Sequence, residues 1–94
     1  MLFASKIREL RASKQILQRH ISAVLDMDNA MYCKIERGDR RAKREQIPII
    51  AEILQANHEE LLTLWLADQV AEVVENDKGI SDKVLNTVKQ KLNE

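Results

Sequence analysis

The sequence predicts an all-α fold, five helices with one more added at the C-terminus. Three features carry that prediction. Apolar residues recur at intervals of three and four, the spacing of one helix face. Gly occurs twice and Pro once in 94 residues, while the good helix formers Leu, Ile, Ala, Glu, Lys, Arg and Gln dominate. Breaks in the apolar pattern coincide with residues that cap or stop helices. Apolar residues make up 45% of the chain, enough for one small core without disulfides or metal.

The first helix is predicted from Phe3 to Ser13, with Phe3, Ile7 and Leu10 at i, i+4 and i+7. The second is predicted from Gln18 to Leu25, with Ile21, Val24 and Leu25 inward. Asp26-Met27-Asp28 interrupts the periodicity. Asp28 suits an N-cap, because a carboxylate accepts the N–H groups left free in a first turn. A third helix carries Met31, Tyr32 and Ile35 and stops at Gly38, which enters the left-handed C′ conformation cheaply. Residues 39–44 read DRRAKR, a charged loop. The fourth helix is predicted over 45–55, with Ile49, Ile50, Ile53 and Leu54 as its core face. Pro48 is tolerated only in a first turn, so it implies a late start or a distortion there.

Asn57-His58-Glu59-Glu60 has the form of a capping box, with Asn57 as cap and Glu60 at N3. The fifth helix then carries Leu61, Leu62, Trp65, Leu66, Ala67, Val70, Val73 and Val74 and stops at Asp77-Lys78-Gly79. Ser81 is placed to cap a sixth helix, whose Val84, Leu85, Val88 and Leu92 fall on one side. The division expected is a unit over residues 1–66 and a C-terminal extension over 67–94.

The formal net charge is zero, yet the charges are segregated. Residues 1–44 hold 11 Lys/Arg against 5 Asp/Glu, and residues 45–94 hold 4 against 10. Two surfaces with different partners are expected from that asymmetry. The basic half offers phosphate contacts with counterion release, and the acidic half would face away from a polyanion.

Within the basic half, the spacing of small and apolar residues suits two short helices crossing tightly. From Gln18, Ile21 and Leu25 are apolar, Ser22 is small, Met27 is apolar in the turn, and Tyr32 and Ile35 follow. The outward face of the later helix is then Asp28, Asn29, Ala30, Cys33, Lys34 and Arg37, a set able to enter a major groove while the earlier helix lies across the backbone.

The segment Gln18–Gly38, ending in Lys34-Ile35-Glu36-Arg37-Gly38, resembles the helix-turn-helix of phage repressor and Cro-type transcriptional regulators. Upstream Ile7-Arg8-Glu9-Leu10-Arg11 and downstream Ile50-Ala51-Glu52-Ile53-Leu54 fit the same five-helix domain, and the resemblance covers about residues 5–66. In size the chain is also similar to restriction–modification controller proteins. The resemblance implies sequence-specific binding of double-stranded DNA. It implies base-edge contacts from Asn29, Ala30 and Lys34, with Asp28 and Cys33 beside them; Asn pairs with adenine and Lys donates to guanine. It implies phosphate contacts from Gln18, Arg37, Arg40, Arg41, Lys43 and Arg44, and a partly buried ion pair between Arg11 and Glu36. The sequence departs from the family pattern at Leu17, where Ser or Thr usually caps, and at Asp26, where Gly usually turns. Asp enters the left-handed region at modest cost, and Asp28 is better read as a cap than as a reader of cytosine.

No catalytic constellation, zinc motif or phosphate-cradling loop is visible, so no enzyme activity, cofactor or metal is expected. Cys33 is the only cysteine, consistent with a reducing, cytoplasmic setting, and His20 and His58 are not at ligand spacing. No secretory signal or membrane span is expected. Trp65 reads both as core and, with Val70, Val73, Val74, Val84, Leu85, Val88 and Leu92, as part of a homodimer interface. The alternative use of that C-terminal half is to grip a different protein, as an antitoxin does.

Overall fold

The computed structural model describes residues 1–94 as six α-helices with no strand. They are α1 (Leu2–Ser13), α2 (Gln18–Val24), α3 (Asn29–Arg37), α4 (Ile47–Leu54), α5 (His58–Val74) and α6 (Ser81–Leu92), with a 3₁₀ turn, Arg44–Gln46, leading into α4. The all-α expectation is met. No helix is long and apolar enough to cross a membrane.

The core draws on five helices and one loop residue. Phe3 and Ile7 of α1, Ile21 of α2, Tyr32 and Ile35 of α3, and Leu61 of α5 close around Ile47, Ile50, Ala51 and Leu54 of α4. These α4 positions stand at i, i+3, i+4 and i+7. Ile49 lies two residues from both Ile47 and Ala51, about 200° around the helix, and is therefore exposed rather than in the core as expected. Val24 departs from expectation for the same reason: Ser22 faces inward, and Val24 two residues on is exposed. Pro48 occupies the first turn of α4, where its missing N–H removes no hydrogen bond.

One cap comes from far along the chain. Asp68 of α5 is 8% exposed and accepts from the backbone N–H of Leu2 at 2.8 Å and of Phe3 at 3.0 Å. Its carboxylate thus satisfies two first-turn donors of α1, where no local side chain caps. Asp68→Ala is expected to lower stability by about 1–2 kcal/mol, read as a lower urea midpoint with unchanged slope.

The C-terminal helix stands apart from this core. No residue of α6 is buried. Its N-cap is Ile80 rather than Ser81, whose hydroxyl instead donates back to the Lys78 carbonyl at 3.2 Å. The radius of gyration is 15.2 Å, against the roughly 12 Å expected of a close-packed chain this long. The longest dimension, 42 Å against 26 and 23 Å, reflects the projecting end of α5 and α6.

Candidate nucleic-acid interface

The geometry of this surface begins with the turn between α2 and α3. Asp26 takes a left-handed φ of 54°, a region that Asp enters at modest cost. Asp28 then caps α3, accepting from the Ala30 N–H at 3.0 Å. The other end of α3 closes on Gly38 at φ 81°. A β-carbon there would also lie 2.8 Å from the Met1 side chain, so the glycine serves both conformation and space. The N-cap of α2 is Leu17, which offers no capping side chain and is exposed.

A polar knot fixes how α1, α2 and α3 sit together. Glu36 is 1% exposed. It accepts from Arg11 Nε at 2.8 Å and from Gln18 Nε2 at 3.1 Å, while its backbone carbonyl accepts from Arg8 at 2.8 Å. Arg11 also reaches the Ile16 carbonyl at 3.0 Å, tying down the α1–α2 turn. A buried carboxylate needs such company, because desolvation otherwise drives it to protonate. Tyr32 lies in the same region with its hydroxyl buried and unpartnered. Burial, and then the nearby Glu36 carboxylate, hold that hydroxyl well above the usual phenol range, so it stays neutral.

The predicted base-edge residues do not all face outward. Asn29, Ala30 and Lys34 are exposed. Asn29 Oδ1 lies 3.2 Å from the Ser22 hydroxyl, which braces the side chain and leaves its amide protons free. Asp28 is exposed, but its carboxylate is used in capping. Cys33 is half-buried, with its thiol directed at Gln18 Oε1, 3.2 Å away. Position 33 lies three residues before Glu36, on the flank of α3 that meets α2. Met31, one of the apolar residues expected on the third helix, is exposed near the head of α3.

The predicted phosphate residues also divide. Gln18 is engaged on both sides, donating to Glu36 and accepting from Cys33, so its amide orients α2 against α3. Arg37 pairs with Asp39 at 3.1 Å, in the open. Arg41 turns toward α5 and pairs with Glu72, so it is not a free member of the cationic set. Arg40, Lys43 and Arg44 are exposed with no carboxylate in ion-pair range, and so is Arg19 on α2, which the sequence reading passed over.

The loop that carries these cations is anchored at its middle. Ala42 is buried, and its carbonyl accepts from the indole of Trp65 at 2.8 Å. Trp65 is therefore held against its own chain, partly buried on the core, as the first of its two expected uses requires. Lys43 N–H donates to Gln46 Oε1 at 2.9 Å and fixes the far end of the loop. Between this loop and the α2–α3 turn lies a concavity of about 390 Å³, with Asp26, Asp28 and Met31 on one wall and Arg40, Lys43 and Gln46 on the other.

Nowhere do three His, Cys, Asp or Glu side chains gather as a metal would require. The chain matches no family model, no curated protein and no solved structure.

Proposed function

We propose that the protein binds double-stranded DNA in a sequence-dependent way and acts as a transcriptional regulator, with α3 entering the major groove and the 40–44 loop holding the backbone. The observation that carries this reading is the pairing of two features on one face. Asn29, Ala30 and Lys34 form an exposed row, two of them polar, on a helix capped at both ends, and the unpaired cations Arg40, Lys43 and Arg44 stand beside it on an anchored loop. The division of labour follows from chemistry: amide and ammonium groups on the helix meet base edges, and loop cations meet phosphate oxygens. The acidic helix α5, with four carboxylates and no Lys or Arg, is the part to be kept away from the polyanion. As a homodimer the protein would offer two copies of α3 to two half-sites about one helical turn apart.

Lys34→Ala separates this reading from generic cation binding. It is expected to weaken the preferred duplex by about 1–3 kcal/mol and a scrambled duplex much less. Arg44→Ala should weaken both alike and reduce the slope of log affinity against log salt by about one. Fluorescence anisotropy with the two duplexes at several salt concentrations measures all of this. Identical behaviour of the two variants would remove the assignment of reader and clamp.

A further inference from the structure

Helix α5 carries one inward stripe well past the core. Leu61, Trp65, Asp68 and Glu72 follow at i, i+4, i+7 and i+11, all within about 60° of one another around the helix. A different part of the chain engages each in turn. Leu61 is fully buried in the core, Trp65 donates to the Ala42 carbonyl, and Asp68 accepts from the first N–H groups of α1. Glu72, one turn further on, takes the Arg41 guanidinium. The packing of the helix below therefore sets the place of Glu72 beside the loop.

This pairing sets Arg41 apart from the other cations of the 40–44 loop. Arg40, Lys43 and Arg44 meet no carboxylate, whereas Arg41 is held by one. Yet Arg41 also borders, with Arg40 and Lys43, the concavity between the loop and the α2–α3 turn. The two side chains of the pair are 42% and 50% exposed, so water screens their attraction and the contact is weak enough to open. A phosphate oxygen offers a guanidinium the same kind of charge-assisted hydrogen bond as a carboxylate does. Glu72 and a DNA phosphate therefore compete for Arg41, and their mutual repulsion disfavours sharing it.

We propose that Glu72 regulates the DNA-binding surface: it withholds Arg41 from the phosphate backbone and so sets how tightly the loop holds any duplex. The proposal rests on the DNA-binding reading and adds to it a restraint supplied by α5. The restraint acts on affinity and leaves sequence preference alone, because a phosphate contact carries no information about the base pairs.

Fluorescence anisotropy of the full chain with the preferred and the scrambled duplex, titrated at several salt concentrations, tests it. Glu72→Ala removes the acceptor at an exposed helix position and leaves a good helix former there. It is expected to raise affinity for both duplexes about threefold to fivefold, with their ratio unchanged. The slope of log affinity against log salt should steepen by about one. Losing a negative charge near DNA raises affinity on its own account, so two controls isolate the pair. Glu75→Ala removes an exposed carboxylate that pairs with no cation, and should give a clearly smaller gain with the slope unchanged. Adding Arg41→Ala to Glu72→Ala should return affinity close to that of the wild type. Equal gains from Glu72→Ala and Glu75→Ala, or a gain that survives Arg41→Ala, would overturn the proposal. Wild-type binding that Glu72→Ala leaves unchanged removes this inference alone. Failure of the wild type to bind either duplex at low salt removes the proposed function, and this inference with it.

Discussion

Arg11→Met is expected to destabilise the fold by about 3 kcal/mol, the size that follows from stranding a buried charge. Glu36 is 1% exposed, and Arg11 is the one cation on its carboxylate, at 2.8 Å. Without the guanidinium, the carboxylate keeps only the Gln18 amide, and the Ile16 carbonyl loses its donor as well. The pair itself contributes little in net terms, because the Coulomb attraction roughly offsets the cost of desolvating both ions. The double variant Arg11→Met with Glu36→Leu should therefore be more stable than Arg11→Met alone. Urea denaturation of the four proteins closes the cycle, and strictly additive losses would show that the two side chains are not coupled.

The second large effect concerns binding. Replacing Arg40, Lys43 and Arg44 together by alanine removes the loop's exposed, unpaired cations while leaving the Ala42 anchor in place. At up to about 1 kcal/mol for each exposed contact, affinity for every duplex should fall by about two orders of magnitude. The slope of log affinity against log salt should flatten by about three. Arg41→Ala is expected to do much less, since that side chain is already paired with Glu72. The contrast between neighbours with the same charge distinguishes a positioned clamp from bulk attraction. An equal loss from Arg41→Ala would contradict it. Thermal melts of the variants should overlay that of the wild type, because the altered side chains lie in solvent.

Much of the fold was legible because local signals agreed with one another. Asp28 reads as a cap and caps, Gly38 reads as a stop and takes the left-handed turn, and Asn57 reads as a cap and accepts from the Glu60 N–H at 2.9 Å. The Arg11–Glu36 pair was expected from the family resemblance and is present. What escaped depends on contacts distant in sequence. Nothing local marks Asp68 as the cap of a helix 65 residues earlier, or Trp65 as the donor that pins Ala42. Arg41 and Arg40 are adjacent and chemically alike, and only the approach of Glu72 separates their roles. Cys33 and Gln18 read as outward, but the thiol of α3 and the amide of α2 meet across the α2–α3 seam, a contact that the apolar pattern does not mark. Ile49 and Val24 failed because several apolar residues competed for one face, and periodicity alone did not rank them.

The measurement that bears most directly on the central claim is selection of duplexes from a random pool by the purified chain, followed by titration of the enriched sequence at rising salt. The account predicts enrichment of a short motif repeated with two-fold symmetry, with half-sites about 10 base pairs apart. It also predicts affinity that falls linearly in log salt, and loss of the preference on Lys34→Ala. Recovery of an unenriched pool, or no retention of duplex at low salt, would contradict it.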